Sequence, residues 1–98
     1  MMSNPALAQE SNAAGMAALR SGDAAAAIAE FTRATRADPG ALPLWINLAH
    51  ACRLAGEDKA ERAALDRALS LDRTDFTANL RLAQLLQRLG EEIGRAHV

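Results

Sequence analysis

Three short stretches of this chain repeat one pattern: Ala18-Leu19-Arg20-Ser21-Gly22-Asp23, Cys52-Arg53-Leu54-Ala55-Gly56-Glu57 and Leu86-Gln87-Arg88-Leu89-Gly90-Glu91. In each stretch a glycine follows a basic residue closely and precedes an acid, and the three glycines are evenly spaced along the chain. The glycines are Gly22, Gly56 and Gly90, and the constant spacing between them is typical of helical repeat proteins. In such proteins one repeat cannot bury its apolar face alone and stacks on the next. Since such arrays usually hold other proteins, the sequence directs attention to a binding groove before a catalytic centre.

The composition limits the classes of function. The chain has 98 residues, enough for one small domain, with a formal net charge of -1. That balance disfavours nucleic acid as a partner, because duplex binding needs a net basic surface. The single cysteine, Cys52, excludes an internal disulfide and fits a reducing compartment. No signal segment and no apolar run of about 20 residues is visible. We therefore expect a soluble, cytoplasmic protein with no membrane partner.

Apolar residues recur at three- and four-residue spacing along most of the chain, and no run of alternating β-branched residues is present. The pattern predicts an all-α fold. The five predicted helices cover residues 6–20, 24–37, 42–55, 59–71 and 76–89. Gly22, Gly56 and Gly90 are expected to end the helices that precede them, and Asp75 to cap the last helix.

These features resemble the tetratricopeptide repeat family, whose helix–turn–helix signature reads W-x2-L-G-x2-Y…A-x3-F…P and recurs with the same period as the three glycines. The matching residues are Gly15, Ala27, Phe31 and Pro39 in the first repeat, Trp45, Leu48, Ala49 and Leu65 in the second, and Leu82, Ala83 and Gly90 in the third. The departures are Ser11 and Asn79 for the tryptophan, Ala18, Cys52 and Leu86 for the tyrosine, Glu61 for the alanine, and Arg73 for the proline. The alternative is an alanine-rich helical bundle without repeats. So many residues match the repeat signature at the same spacing that this alternative is disfavoured.

The resemblance implies a right-handed superhelix of antiparallel helix pairs, an α-solenoid of about two and a half repeats. We place a repeat domain at residues 1–91, with repeats at about 8–41 and 42–75 and a truncated third repeat at 76–91. The third repeat has no room for its second helix. We therefore expect Leu82, Leu85, Leu86 and Leu89 to be uncovered. Of these, Leu82, Leu86 and Leu89 would be able to pair two chains.

The segment 92–98 is expected to be a non-native tail. Its codons for Ile93-Gly94-Arg95-Ala96-His97-Val98 can read ATCGGAAGAGCACACGTC, a stretch found in a widely used short-read sequencing adapter, in which a TGA stop follows directly. Glu92 fits the first bases of the adapter as well. The alternative is an ordinary frayed terminus. On the adapter hypothesis, His97 and Arg95 carry no function.

Little in the sequence suggests catalysis. There is no Cys-x-x-Cys pair, no His-x-x-x-His pair and no glycine-rich phosphate loop. His50 lies two residues from Cys52, which places them on different faces of a helix. Asp38, Asp72 and Asp75 stand at helix ends, where capping explains them without a metal. We predict no catalytic residue, no metal site and no cofactor.

A peptide-binding groove is the remaining candidate site. In the family that this chain resembles, the first helix of each repeat lines a concave face that holds peptides. The groove residues predicted on that basis are Asn12, Met16, Asn47, His50, Arg53, Arg81, Gln84 and Arg88. The alternative is that they are polar residues on a solvated helix face. Arginine at a concave site favours an acidic peptide, because its guanidinium group forms bidentate bonds with a carboxylate.

Two of these residues also match the family's carboxylate clamp, which grips the acidic C-terminal tails of Hsp70 and Hsp90. Asn47 and Arg81 match two clamp positions, whereas Asn12, Met16 and Thr77 stand where lysine, asparagine and lysine would be needed. The match to the clamp therefore covers two of its five positions.

A second resemblance allows a different interpretation. The stretches Leu44–Arg53 and Ala64–Leu69 look like the N-terminal repeat region of bacterial aspartyl/asparaginyl β-hydroxylase-type proteins. In those proteins the repeats precede an Fe(II)/2-oxoglutarate oxygenase domain, whose iron ligands are absent from this chain. The chain would then be a non-catalytic fragment of an enzyme.

Overall fold

The computed structural model describes residues 2–96, which form five helices and, within that range, no strand. The helices are α1 (Pro5–Arg20), α2 (Ala24–Ala37), α3 (Leu42–Leu54), α4 (Asp58–Leu71) and α5 (Phe76–Ala96). Each helix packs on the next one along the chain, and the molecule measures 50 × 31 × 20 Å. The predicted all-α repeat fold is confirmed. No helix in the described part of the chain combines the length and apolarity needed to cross a bilayer.

Side-chain caps fix the starts of three helices. The Oδ1 atom of Asn4 accepts a hydrogen bond from the Leu7 amide at 3.1 Å, and Oδ1 of Asp23 accepts one from the Ala26 amide at 3.0 Å. Asp75 caps α5 as predicted, because its Oδ2 accepts from the Ala78 amide at 2.9 Å. Each bond satisfies a backbone donor that a helix start leaves without a partner.

The two turns inside the first and second repeats have the same geometry. Gly22 and Gly56 adopt φ angles of 80° and 74°, in the left-handed region that glycine tolerates best. Because the glycine turns the chain, the backbone amide of the residue after it can bond to the end of the preceding helix. The Asp23 amide donates to the Ala18 carbonyl and the Glu57 amide to the Cys52 carbonyl, both at 2.9 Å. The repeated sequence pattern thus produces a repeated Schellman turn.

The prediction that Gly90 ends the fifth helix is wrong. Helix α5 continues through Gly90 to Ala96, and no positive φ is found there. A helix-interior glycine costs only about 1 kcal/mol relative to alanine. At Gly22 and Gly56 a following amphipathic helix packs back on the one before, whereas the described residues after Gly90 continue α5. Residues 92–96 therefore belong to α5, while His97 and Val98 lie outside the described residues.

Small residues allow the helices of a repeat to approach closely. A methyl group added at Gly15 would lie 2.5 Å from Cε1 of Phe31, so the ring of α2 rests directly on the backbone of α1. Ala49 and Leu65, which occupy the corresponding positions of the second repeat, are both buried. The core is made by such pairs of a small and a large residue.

The leucines of α5 are mostly covered, which corrects the sequence-based expectation. Leu85 is fully buried, and Leu82 and Leu89 pack partly buried against the core. Successive helical residues are rotated by about 100°, so these three share the side that faces α4 while Leu86 lies beside it. Leu86 is 45% exposed. Phe76, Leu80, Leu86 and Ile93 stay exposed on α5. Leu86 and Ile93 are seven residues apart and share one side of the helix, which we call the open apolar face of α5.

Candidate peptide-binding surface

An asparagine pair joins the first helices of the two complete repeats. The side-chain amide of Asn47 in α3 donates to Oδ1 of Asn12 in α1 at 2.9 Å, although the residues are 35 positions apart. The bond places α1 and α3 side by side along one face, which continues onto α5. We call this side of α1, α3 and α5 the groove face.

Two shallow pockets flank the asparagine pair on the groove face. The first, of about 230 Å³, lies between α3 and α5 and is lined by Leu42, Pro43, Ile46, Asn47, Asp75 and Thr77. The second, of about 220 Å³, lies between α1 and α3 and is lined by Pro5, Ala8, Gln9, Asn12, Asp38, Ala41, Pro43 and Leu44. Pro43 belongs to both, so the two pockets form one interrupted depression.

Three basic side chains meet between α3 and α5. Burial lowers the pKa of His50 from its usual value of 6.5, and the nearby positive charges of Arg81 and Arg53 lower it further, against a smaller opposite effect of Glu61. The Nδ1 atom of His50 and the Nε atom of Arg81 are buried and have no hydrogen-bond partner among the described residues. A buried polar atom without a partner is costly, so the packing of the described residues leaves polar groups unsatisfied at this point.

The structure brings together part of the predicted set of groove residues. Met16 is 37% exposed, and Gln84 is exposed on α5. Asn12 pairs with Asn47, and His50, Arg53 and Arg81 form the basic cluster. Thr77, at one of the clamp positions, lines the same pocket as Asn47.

Arg88 is engaged within the protein instead. Its Nη2 atom lies 2.7 Å from Oε1 of Glu61 and 3.4 Å from Oδ1 of Asp58, both in the first turn of α4. Glu61 is buried, with 1% of its surface exposed. Sequence reasoning missed this pair, although the acid at a position where the repeat signature has alanine was a signal that a basic partner was needed.

The cysteine is held in its neutral form. Cys52 is buried, and burial raises the pKa of its thiol to about 11, with further contributions from the charges of Glu61 and Glu57. A thiol with a raised pKa is a poor nucleophile. Among residues 2–96, no three His, Cys, Asp or Glu side chains gather in a way that could hold a metal ion.

Comparison with known families identifies the repeat. The family model described as tetratricopeptide repeat matches residues 12–40 and 42–75, which together cover more than half of the chain. The chain belongs to the tetratricopeptide repeat family. The second matched segment coincides with the repeat predicted at 42–75, and the first lies within the one predicted at 8–41.

Tetratricopeptide repeats generally mediate protein–protein interactions and are typically not catalytic. A search of curated proteins finds no match to this chain. The resemblance to β-hydroxylase-type proteins therefore gains no support and stays a hypothesis.

Proposed function

We propose that this chain is a non-enzymatic interaction module of the cytoplasm that binds an acidic peptide segment on the groove face. The observation that carries the proposal is the basic cluster of His50, Arg53 and Arg81, in which two buried nitrogen atoms have no partner within residues 2–96. No acid of the described chain lies within ion-pair distance of Arg53 or Arg81.

A carboxylate suits this cluster. The planar guanidinium of Arg81 presents donors in the geometry that a carboxylate accepts, and such charge-assisted bonds are about twice as strong as neutral ones. The positive charges that depress the pKa of His50 would be offset by a bound anion. Arg53 is exposed and free to reach a second carboxylate of the same peptide.

The two pockets beside Asn12 and Asn47 supply the rest of the surface. They are small and shallow, so they would take short side chains of an extended peptide rather than a large apolar anchor. A surface of two and a half repeats is also limited in area, and we expect affinity to be modest. Arg88 is left out of the proposed surface, because Glu61 and Asp58 already occupy its guanidinium.

Fluorescence anisotropy with a labelled peptide of five glutamates tests the proposal. We expect Arg81→Ala and Arg53→Ala each to weaken binding about tenfold, in line with the loss of a hydrogen bond to a charged group. The matched control is Arg62→Ala, which removes an exposed arginine that already pairs with Asp66 at 3.4 Å. Equal affinity of all three variants and the parent chain would contradict the proposal.

Self-association is a second candidate function, favoured by the apolar face that α5 leaves open. Leu86 and Ile93, which form that face, are each more than two-fifths exposed. Apolar side chains that line one side of a helix favour contact with another apolar surface. We propose a second copy of the chain as the occupant, joined through the same face of its own α5.

The enzyme-fragment hypothesis has its own test. The source DNA downstream of the codon for residue 91 should encode a second repeat helix followed by an oxygenase domain with an iron-binding His…His pair. Native coding sequence for residues 92–98, without adapter, would refute the proposal that this tail is non-native.

A further inference from the structure

A larger pocket lies away from the groove face, between the second helices of the two complete repeats. It has a volume of about 590 Å³ and is lined by Thr35 and Arg36 of α2, Pro39 of the connection, Trp45 of α3 and Arg67 of α4. The helices α2 and α4 contribute no residue to the groove face. We call this site the Trp45 pocket, and the function proposed above does not use it.

The polar groups of the Trp45 pocket are used internally, apart from two guanidinium groups. The indole nitrogen of Trp45 donates to the Pro39 carbonyl at 2.9 Å, and the hydroxyl of Thr35 donates to the Thr32 carbonyl at 2.9 Å. The indole is therefore fixed in orientation and presents apolar surface to the pocket. What remains for a ligand is an apolar wall and the charges of Arg36 and Arg67.

Those two arginines are not neutralised within the described chain. Neither Arg36 nor Arg67 has a carboxylate within 4.0 Å among residues 2–96, and no acid lines the pocket. By contrast, Arg33, one turn before Arg36, pairs with Glu30 at 3.1 Å. The guanidinium carbon of Arg67 lies 5.0 Å from the centre of the Trp45 ring, a cation–π distance that leaves its donors available at the rim.

We propose that the Trp45 pocket is a second docking site, for an acidic peptide segment in which an apolar side chain is flanked by carboxylates. The apolar side chain would pack against the indole, and the flanking carboxylates would bond to Arg36 on one side and Arg67 on the other. Charge complementarity selects this partner, since both exposed guanidinium groups would repel a basic segment and a neutral segment would offer them no carboxylate.

The protein carries its own reporter for this site. Trp45 is the only tryptophan of the chain, which has no tyrosine, so intrinsic emission reports directly on the pocket. The probe is the capped peptide Glu-Glu-Leu-Glu-Glu, and the comparison peptides replace its leucine with glycine or its glutamates with lysine. We expect saturable quenching or shift of the Trp45 emission with the first peptide, and affinity about tenfold weaker without the leucine or the acids.

Variants assign the response to the pocket. Arg36→Ala, which leaves the indole untouched, and Arg67→Ala should each weaken binding about tenfold, whereas the matched control Arg33→Ala should bind within about twofold of the parent chain. Circular dichroism melts confirm that each variant is folded. Unchanged affinity in both pocket variants, or the absence of any saturable response, would overturn the proposal.

The groove-face variant Arg53→Ala/Arg81→Ala separates this proposal from the function proposed above. The Trp45 response should persist in that variant. If the peptide instead binds by calorimetry without a Trp45 response and the groove-face variant abolishes binding, the Trp45 pocket proposal fails and the groove proposal stands. If the Trp45 response is seen and the groove-face variant binds the peptide as well as the parent chain does, the groove proposal fails and the Trp45 pocket proposal stands.

Discussion

Arg88 of α5 reaches back to donate a 2.7 Å hydrogen bond to the buried carboxylate of Glu61 in α4. The acid stands where the first repeat carries Ala27, and both positions are buried. A charge at such a site is tolerable only with a partner, and the partner comes from the next repeat. The stability of the second repeat is therefore coupled to the presence of α5.

This coupling predicts an asymmetry between two substitutions. Arg88→Ala should lower the free energy of unfolding by about 3 kcal/mol, because it leaves the Glu61 carboxylate buried without compensation. Glu61→Ala should cost clearly less, since the side chain of Arg88 is 33% exposed and can turn to water. Urea unfolding followed by circular dichroism measures both.

The double variant completes the cycle. Glu61→Ala/Arg88→Ala should be more stable than Arg88→Ala alone, because removing both partners leaves no buried charge. If the loss of the double variant equalled the sum of the two single losses, the interaction energy would be zero and the pair would not be the coupling element.

The contact between Gly15 and Phe31 predicts the effect of one methyl group. Gly15→Ala should destabilise the protein by about 1–3 kcal/mol, even though alanine is the better helix former, because its methyl would overlap the Phe31 ring. Thermal melts test this, with Gly40→Ala as a control at a position that is open within 4 Å. A higher melting temperature for Gly15→Ala would contradict the close contact.

Because Gly90 lies inside a helix, replacing it with alanine should stabilise the protein, whereas the same replacement at Gly15 should destabilise it. Gly90→Ala should raise the free energy of unfolding by up to about 1 kcal/mol, since an added methyl meets nothing within 4 Å and glycine is unfavourable in a helix. Gly56→Ala should destabilise, because the φ of 74° at that turn strains any residue with a Cβ. Loss of stability in Gly90→Ala would instead favour the turn predicted from the sequence.

The environment of His50 predicts a pH dependence of stability. The pKa of His50 in the folded state lies below its usual value of 6.5. As the pH falls from 6.5 towards the folded-state pKa, the unfolded chain binds more protons than the folded chain. The free energy of unfolding should therefore decrease as the pH is lowered. Burial is the main cause of the lowered pKa of His50. The charges of Arg81 in α5 and Arg53 in its own helix lower the pKa further, and Glu61 of α4 acts in the opposite direction. His50→Gln should remove this part of the acid sensitivity.

The same residue reports on ligand binding. An acidic peptide on the groove face should raise the pKa of His50, and affinity should therefore increase as the pH is lowered through the range between the free and bound values. NMR titration of the His50 ring with and without the five-glutamate peptide measures both quantities. An unchanged His50 pKa in the complex would place the peptide elsewhere.

The open apolar face of α5 predicts concentration-dependent association. Light scattering after size exclusion should show a dimer that Leu86→Gln/Ile93→Gln disrupts, because both side chains are exposed on that face. Leu54→Gln is the matched control, a similarly exposed leucine outside α5. A monomer at all concentrations, or a dimer that survives the double substitution, would refute self-association through α5.

The sequence by itself determined the repeat architecture of this protein. The repeat period, the glycines at 22 and 56 and the capping acids at 23 and 75 can be recognised in the sequence, because a left-handed turn and a helix cap depend on a few adjacent residues. Gly15 and Phe31 could likewise be identified as packing positions, since the repeat signature places them there.

Only the tertiary structure decided the course of α5 and the partners of its side chains. The same glycine pattern ends a helix at Gly56 but not at Gly90. The turn is retained when a following helix packs back on the one before, and this packing depends on residues far from the glycine. Arg88 belongs to an ion pair rather than the groove face because Glu61, distant in the sequence, is buried beside it. The Trp45 pocket joins three helices, so no local pattern could have shown it.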